Sequence, residues 1–215
     1  MTNQTCKICR RLGTKLFLKG EKCLSPKCPI LRRPYPPGRK KKRKGTISEY
    51  GKELREKQKL RNWYNLSETQ FKNYVKEILK KRGRVSGEKA IKEDTPTLLI
   101  QKLEMRLDNV VFKMGFAESR PQARQLISHG HFLINKKKVN IPSYQVKKGD
   151  RITISENSRG KSIFKNLLPL LKKKQIPSWL LVDAKKLEGE VKSLPTLAEV
   201  APPVEISMIF EFYSR

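Results

Sequence analysis

Four cysteines near the start of the sequence have the spacing of a metal site. Two residues separate Cys6 from Cys9, four separate Cys23 from Cys28, and all four lie within one window of 23 residues. A Cys-x-x-Cys turn directs two thiolates to one side of an ion, and a second pair completes a tetrahedron. Because four protein ligands leave no position open for water, we expect a structural site with Zn²⁺ as the favoured ion.

Three other interpretations of these cysteines stay open. Four thiolates also suit an iron–sulfur cluster, and the residues could instead form two disulfides or be unrelated buried side chains. A reducing compartment disfavours disulfides. We expect such a compartment, because the first ten residues, MTNQTCKICR, lack the apolar core of a secretory signal. The sequence therefore predicts a cytoplasmic protein with a basic metal-binding arm over residues 1–45.

A second group of residues has the chemistry of a phosphate contact. Between residues 106 and 139, a short helix capped by Ser119 precedes a β-hairpin with lysines at its tip. Free N–H groups at a helix N-terminus suit a phosphate, and a fixed basic surface reads an RNA backbone rather than base edges. An ordinary solvated helix face is the alternative. The predicted RNA contacts of this module are Ser119, Arg120, Gln122, Arg124, Gln125, Ser128, His129, His131, Asn135, Lys136, Lys137 and Lys138.

Two histidines and one aspartate in the same module could do acid–base or metal chemistry. His129 and His131 lack a third ligand nearby in the sequence, so we predict backbone capping or stacking on RNA. Asp108 lies two residues after Arg106, and we expect it to pair with Arg106 or to cap local backbone rather than to act as a base. The sequence has no glycine-rich phosphate loop, no nucleophile with a nearby base and no placed carboxylate pair. It therefore predicts binding, with no catalytic residues.

The charge of the whole chain fits a polyanionic partner. Lys and Arg total 49 against 20 Asp and Glu, a formal net charge of +29. Such a charge repels itself in a compact fold unless a polyanion neutralises it, and phosphate backbones release counterions when Lys and Arg bind them. A membrane is a poor alternative, because no apolar run approaches the ~20 residues of a spanning helix.

Two further stretches concentrate positive charge. The first 45 residues hold 15 Lys or Arg and one acid, and Pro34–Gly38 leads into six consecutive bases. Proline favours extended backbone there, and the base run needs an anion to become ordered. A helix predicted over 49–64 carries the second stretch. The RNA contacts predicted outside the module are Arg32, Arg33, Arg39, Lys40, Lys41, Lys42, Arg43, Lys44, Arg55, Lys57, Lys59 and Arg61.

Apolar periodicity and capping residues predict the elements that carry these groups. The predicted helices, each introduced by a capping side chain or a proline, cover 49–64, 68–81, 95–114 and 120–129. The predicted strands cover 132–134, 139–141, 151–154 and, in the tail, 204–212. The tail strand should pack on the first two helices. Residues 155–180 are basic, and we expect irregular or helical structure there.

The order of these motifs resembles one known family over nearly the whole chain. The module at 106–154 is similar to the small RNA-binding domain named after the fourth protein of the small ribosomal subunit. That domain also occurs in pseudouridine synthases, some tRNA synthetases and heat-shock RNA binders. Short segments along the whole chain resemble the bacterial-type ribosomal protein itself, and these are Cys6–Cys9, Leu18–Cys23, Ser25–Cys28, Arg32–Gly38, Leu54–Leu60, Arg106–Val110 and Glu211–Arg215.

The resemblance implies an α+β fold and a structural role. A small helix–turn–β-hairpin RNA-binding domain at 98–184 would be inserted in a helical domain made of 46–97 plus 185–215, with the metal-binding arm in front. The family implies a constituent of the small ribosomal subunit that binds 16S rRNA first, at a multi-helix junction of the 5′ domain, and nucleates assembly of the body. Implied neighbours are the fifth small-subunit protein, at an interface linked to translational accuracy, and mRNA near the entry channel.

One segment departs from the family pattern. Gln-His-Gly often follows the Pro-Pro-Gly sequence in the family, whereas Arg39-Lys40-Lys41 stands here, so simple charge would replace any contact of that histidine. Two competing functions are an RNA-modifying enzyme that docks through the same small domain and a zinc-dependent DNA regulator. An enzyme needs a catalytic segment that this sequence does not supply. A DNA-reading helix presents side chains to base edges, unlike this surface of Lys and Arg.

Overall fold

The structure, a computed structural model, describes residues 4–38, 46–84, 95–165, 167, 171 and 175–214. Two compact units divide the chain: Met1–Leu99 with Pro202–Arg215, and Ile100–Ala201. The predicted RNA contacts Arg39–Lys44 lie outside the described residues. Among the helices that are described, none is long and apolar enough to cross a membrane.

Helices form the first unit, and the second unit adds an antiparallel sheet. In chain order the described helices are α1 (Gln4–Leu12), α2 (Glu21–Leu24), α3 (Pro29–Arg32), α4 (Glu49–Trp63), α5 (Glu68–Arg84), α6 (Thr95–Glu104), α7 (Leu107–Met114), α8 (Arg120–Ser128), α9 (Glu156–Arg159), α10 (Ser162–Lys165), α11 (Leu197–Val200) and α12 (Ile206–Ser214). The strands are β1 (Phe132–Ile134), β2 (Lys137–Lys138), β3 (Arg151–Ile154), β4 (Leu180–Asp183) and β5 (Glu188–Val191). This mixture of helix and sheet confirms the predicted α+β class.

Side-chain caps start the two long helices of the first unit where the sequence predicts them. At the start of α4, the Oγ of Ser48 accepts a hydrogen bond from the backbone N–H of Gly51 at 3.2 Å. Before α5, Ser67 and Gln70 each accept from the other's backbone N–H with their side chains, at 3.2 and 3.5 Å. These bonds satisfy N–H groups that lack partners inside the helix. The predicted helices are confirmed, and α5 runs three residues beyond its predicted end.

The single helix predicted over 95–114 was wrong, because the chain breaks into α6 and α7 at Arg106. The backbone of Arg106 is extended, with φ −70° and ψ 137°, and it forms an isolated β-bridge with Gln145. Beside it, the N–H of Leu107 donates to the carbonyl oxygen of Tyr144 at 2.9 Å. Apolar periodicity continues across the break, so only the distant partner segment reveals it.

The tail strand predicted over 204–212 was also wrong, because the tail forms helix α12. Apolar residues stand at odd as well as even positions, and Ile206, Ile209 and Tyr213 have the i, i+3, i+7 spacing of one helical face. Ile209 is fully buried, and the rings of Tyr213 and Phe71 lie with centroids 6.2 Å apart. The predicted packing on the first two long helices is confirmed, since α12 contacts α4 and α5.

The second unit is built on a sheet with the strand order β2-β1-β3-β5-β4. β1 and β2 form a hairpin as predicted, but its second strand covers Lys137–Lys138 and not the predicted 139–141, because the turn has two residues; β3 pairs with the other side of β1. The hairpin turn consists of Asn135 and Lys136, whose φ angles are 48° and 68°. A two-residue turn with positive φ at both positions matches the right-handed twist of paired strands. The sheet therefore presents its lysine-bearing turn in a fixed geometry.

Strands β4 and β5 were not predicted, and they correct the predicted domain boundary. Residues 185–201 were expected in the helical domain, but β5 pairs with β3, and this part of the chain belongs to the second unit. The segment Glu188–Val191 is not an apolar alternation, because acids and a glycine fill three of its four positions. Gly189 makes room for Met114, since an added Cβ would lie 2.4 Å from the methionine sulfur.

The helical tail predicts different outcomes for two neighbouring substitutions. Ile209→Ala should lower the free energy of unfolding by about 2–5 kcal/mol, because it removes a fully buried side chain. Ser207→Ala should change it by less than about 0.5 kcal/mol, since Ser207 is exposed. In a strand the two residues would share one face and behave alike. Chemical denaturation of the full chain measures both, and equal effects would contradict the helix.

Candidate nucleic-acid interface and cysteine cluster

The hairpin tip is an exposed basic feature of the second unit. Lys136, Lys137 and Lys138 are all exposed. Asn135 holds the turn beneath them: its amide nitrogen donates to a carboxylate oxygen of Asp150 at 2.8 Å, and its amide oxygen accepts from the N–H of Arg151 at 3.0 Å. The predicted contact Asn135 therefore has an internal role, and it fixes three lysines in position for an anion.

Helix α8 presents some of its predicted contact residues and uses others for itself. The Oγ of Ser119 caps the helix by accepting from the N–H of Gln122 at 3.4 Å, which confirms the predicted N-cap. The side-chain oxygen of Gln122 accepts from the N–H of Glu118 at 2.8 Å. Gln125 and Ser128 are exposed. The outward polar surface of α8 is thus smaller than the sequence predicts.

Arg120 was predicted on this exposed surface, and that placement was wrong. Its side chain is buried, with 7% of its surface exposed, and its Nε donates to the side-chain oxygen of Asn109 at 2.8 Å. The amide nitrogen of Asn109 donates in turn to a carboxylate oxygen of Glu104 at 2.6 Å. The guanidinium carbon lies 4.8 Å from the ring centroid of Phe112. Arg120 therefore joins α8 to the end of α6 and to α7 inside the unit.

Arg124, one turn further along α8, is partly exposed and contacts an acid. Its Nη2 lies 2.9 Å from the Oδ2 of Asp108, which also accepts from the Nη2 of Arg106 at 2.7 Å. The predicted ion pair between Arg106 and Asp108 is confirmed. The sequence did not predict that Arg124 joins it, because the residues are 16 positions apart. Arg124 lies on the outward surface of α8, and the carboxylate of Asp108 holds its guanidinium group in place.

The two histidines at the end of α8 differ in exposure. His129 is exposed, whereas His131 is buried, so an open RNA-stacking surface at His131 was a wrong expectation. The Nδ1 of His131 lies 2.8 Å from the hydroxyl oxygen of Ser158, a contact within the unit. Burial lowers the pKa of His131, and the positive charges of Lys161, His129 and Lys138 lower it further. Three basic groups therefore lie close enough to the His131 ring to oppose its protonation.

The basic residues predicted on α4 are mostly engaged inside the first unit. Lys57 is buried, and its Nζ lies 2.6 Å from a carboxylate oxygen of Glu68 and 4.4 Å from the ring centroid of Phe212. Lys59 pairs with Glu56, and Arg61 lies 3.4 Å from the same Glu68. Burial alone would raise the pKa of Glu68, but the hydrogen bond and charge of Lys57, with help from Tyr213 and Arg61, lower it.

Among the described residues of the first unit, three of the predicted contacts are exposed, and these are Arg32, Arg33 and Arg55. Arg10 orders the segment that carries two of them: its Nε donates to the carbonyl oxygens of Arg33 and Tyr35 at 3.0 and 2.9 Å. Its guanidinium also lies 5.1 Å from the ring centroid of Tyr35. The expectation that Lys57 contacts RNA with an exposed ammonium group was wrong, because Glu68 and the aromatic rings of α12 enclose it.

All four cysteines line one small cavity in the first unit. Cys9, Cys23 and Cys28 are buried, and Cys6 is partly exposed; none forms a disulfide. The Sγ of Cys23 accepts from the N–H of Lys19 at 3.4 Å, and Cys9 accepts from the N–H of Leu16. Burial raises the pKa of the Cys9 thiol; the Leu16 bond opposes this, and negative charge on the other three cysteines raises it further. The charges of the other three cysteines therefore act directly on the Cys9 thiol.

The cysteines are not arranged as a complete ligand set. Within the described residues, no three His, Cys, Asp or Glu side chains are grouped closely enough to hold a metal ion as they stand. Two observations nevertheless fit a metal–thiolate group: the four cysteines line one cavity, and backbone N–H groups donate to the sulfur atoms of Cys9 and Cys23. Amide donors of this kind stabilise thiolate charge next to an ion. The donor set is compatible with Zn²⁺ or with iron–sulfur chemistry.

An exposed lysine turn on a fixed antiparallel sheet, beside a capped helix, defines a structural RNA-binding module. Family models agree: the S4 domain matches residues 105–152, and the ribosomal protein S4/S9 N-terminal domain matches residues 1–93. The chain is 44% identical to small ribosomal subunit protein uS4 of Syntrophobacter fumaroxidans over 214 residues, covering 100% of this chain and 98% of that protein. It is 46% identical to proteins of the same name from a Thermoanaerobacter species, with the same coverage, and from Thermus thermophilus, with 98% and 96% covered.

The chain belongs to the uS4 family of small ribosomal subunit proteins. This is a family of structural ribosomal proteins and not of enzymes, which confirms the predicted absence of catalysis. The predicted family and the predicted class of function are confirmed over the full length of the chain.

The internal role of Arg120 leads to a stability prediction. Arg120→Gln should lower the free energy of unfolding by roughly 1–3 kcal/mol, because Asn109, which itself donates to Glu104, loses a charged hydrogen-bond donor in a buried site. Gln125→Ala, on the exposed side of the same helix, should change it by less than about 0.5 kcal/mol. Thermal unfolding of the full chain measures both. An unchanged stability for Arg120→Gln would show that the network is unimportant for the fold.

Proposed function

We propose that this protein is a structural constituent of the small ribosomal subunit in the cytoplasm and a primary binder of 16S rRNA. The observation that carries the proposal is the identity of 44–46% with small ribosomal subunit proteins uS4, which extends over the full chain. The exposed lysine turn at residues 136–138 supports it, because a fixed row of cations suits a phosphate backbone. In this role the protein holds a multi-helix junction of the 5′ domain and nucleates assembly of the body.

The exposed basic groups belong to both units of the chain, so we propose that the RNA contacts several separate groups. The exposed candidates lie at Arg32 and Arg33, at Arg55 on α4, and on α8 and the β1–β2 hairpin of the second unit. Binding across such separate groups requires an RNA whose phosphates already have a fixed spacing, since the hairpin and helix cannot adapt to a flexible strand. We therefore propose recognition of a folded junction through shape and backbone contacts.

The proposed neighbours are the fifth small-subunit protein and mRNA near the entry channel. This part rests on the family resemblance of the terminal residues Glu211–Arg215. Helix α12 supports a protein contact at this end of the chain: Ile206 and Ile209 anchor it to the unit, while Glu211 stays exposed. A helix held in this way offers a firm surface to a protein neighbour, and the same interface is proposed to contribute to translational accuracy.

We also propose that Cys6, Cys9, Cys23 and Cys28 hold one structural metal ion, with Zn²⁺ favoured over an iron–sulfur cluster. Support comes from the shared cavity and from the N–H groups that donate to Cys9 and Cys23. When bound, the ion would supply a cross-link between α1, α2 and the start of α3 and would offset thiolate repulsion. The cysteines act here as anchors for the basic arm and take no part in chemistry.

The RNA prediction compares two hairpins of the same sheet. Replacing Lys136 and Lys137 with Gln should weaken binding to the folded 5′-domain rRNA by about five- to fiftyfold, because two phosphate contacts are lost. Replacing Lys185 and Lys186 in the β4–β5 turn removes the same charge and should weaken binding less than about threefold. Filter binding of the full chain at fixed salt measures both. Equal losses would indicate nonspecific attraction by net charge.

Two measurements test whether the protein recognises a folded junction: the salt dependence of its RNA affinity, and its affinity for an unstructured RNA. For the unchanged protein, the log–log slope of affinity against salt should be steep, roughly −0.7 to −0.9 per phosphate contact. An unstructured RNA of equal length should bind much more weakly than the folded 5′ domain, because the protein surface is fixed. If both RNAs bind equally well with one salt slope, the protein is a nonspecific basic binder and the proposed function fails.

The metal prediction concerns protein purified without oxygen. Elemental analysis should find one metal ion per chain, and Cys23→Ser should lose it and make the other thiols reactive toward a thiol reagent. Ser25→Ala, between the second pair of cysteines, should retain the ion. Iron together with visible absorbance would select the cluster instead of zinc. Metal-free protein with four freely reactive thiols would refute a metal site.

A further inference from the structure

We propose that Asp108 is a positioning residue for the RNA contact of Arg124, and that buried Arg106 keeps this group of three side chains cationic. The inference rests on the proposed binding of rRNA by the second unit, and it assigns a role that the motif pattern does not reveal. Arg106, Asp108 and Arg124 are called the Arg–Asp–Arg triad below. The triad joins the start of α7 to the outward surface of α8.

The geometry of the triad places one carboxylate between two guanidinium groups. Asp108 accepts from the Nε and Nη2 of Arg106 at 3.1 and 2.7 Å. Its Oδ2 also accepts from the Nε and Nη2 of Arg124 at 3.3 and 2.9 Å. The side chains of Arg106 and Asp108 are 2% and 4% exposed, whereas that of Arg124 is 31% exposed. Arg124 is therefore the member of the triad that an RNA phosphate can reach.

The carboxylate of Asp108 is itself held by the fold. The backbone N–H of Asp108 donates to the carbonyl oxygen of Pro142 at 3.1 Å, and the next bond, from Leu107 to Tyr144, fixes the preceding residue. A side chain on such a backbone has little freedom, so its oxygens form a rigid acceptor. Because Arg124 donates to it through two nitrogens, the plane of the guanidinium is set along with its position. A free arginine side chain loses rotamer entropy when an anion fixes it, whereas this one is already oriented.

The buried Arg106 explains how an acid can serve a phosphate-binding residue. A lone Asp–Arg pair is formally neutral and would attract a phosphate weakly. With Arg106 added, two guanidinium groups and one carboxylate leave a formal charge of +1 for the three side chains. Arg106 is too buried to contact RNA, and its charge acts through the carboxylate at short range in a medium of low dielectric. The triad thus combines fixed geometry with net attraction.

A purely electrostatic role and a positioning role of Asp108 predict opposite changes in RNA affinity when this acid is removed. If Asp108 acted only as a negative charge near a polyanion, Asp108→Asn would strengthen RNA binding. If it positions Arg124, the same substitution should weaken binding to the folded 5′-domain RNA by about five- to fiftyfold, because Arg124 loses its charged acceptor. The matched control is Glu118→Gln, which removes an exposed acid next to the start of α8 and should leave affinity unchanged or raise it about twofold.

The experiment is a double-mutant cycle on the full chain, with thermal unfolding measured for every variant. Arg124→Gln should weaken binding, and adding Asp108→Asn to it should cause no further loss. Arg124→Lys keeps the charge but not the planar two-nitrogen contact, so it should also weaken binding while leaving the fold intact. This lysine variant decides the question if Asp108→Asn does not fold. Binding by Arg124→Lys as tight as by the unchanged protein would overturn the inference.

Two other outcomes would also overturn it, and they separate it from the proposed function. Tighter or unchanged binding by folded Asp108→Asn, while the unchanged protein still prefers the folded 5′-domain RNA, would refute the positioning role alone. Additive losses for Asp108→Asn and Arg124→Gln would do the same, since independent residues do not couple. If the unchanged protein shows no preference for the folded RNA over an unstructured RNA, the proposed function and the inference fall together.

Discussion

The scarcity of acids in a strongly basic chain is the constraint on which the structure depends. With 49 bases and 20 acids, the chain has too few carboxylates to pair each base with an acid of its own. Single carboxylates instead serve two cations at once: the partly exposed Glu68 accepts from Lys57 and Arg61 in the first unit, and the buried Asp108 accepts from two arginines in the second. Each shared acid stands where helices meet, so the same contact stabilises charge and joins elements.

This sharing separates the bases that build the fold from those that face outward. Arg120 and Lys57 are drawn inside by Asn109 and Glu68, although their sequence positions suggest a surface. The hairpin lysines stay exposed because the side chain of Asn135, and not that of a lysine, makes the hydrogen bonds that hold the turn. The cationic surface is therefore narrower than the composition suggests, and its groups have fixed positions. Fixed positions favour a partner whose phosphates also have fixed spacing.

Local signals in the sequence predicted the parts of the fold that local forces decide. Ser48, Ser67 and Ser119 cap the helices that they were expected to start, and the motif order identified the family. The failures lie where a distant segment decides. The break at Arg106 follows from pairing with Gln145, and the apolar pattern continues through it. In the site, the exposed lysines were predictable from composition and turn chemistry, whereas the burial of Arg120 and the link from Arg124 to Asp108 depend on contacts between helices.

The same shortage of acids affects the N-terminal segment, which has short helices, a small apolar cluster and many positive charges. Helices α2 and α3 have four residues each, too short to be stable without tertiary contacts. The apolar cluster there is small, centred on Cys9, Leu16 and Leu18. Self-repulsion of the surrounding lysines and arginines opposes closure. Arg10 fixes one end of the segment through the carbonyl oxygens near Tyr35, but it adds another positive charge. A divalent cation bound by four deprotonated thiols would join these short segments to one another. Four thiolates carry more negative charge than the ion carries positive charge, so the bound site would also lower the net positive charge of the arm.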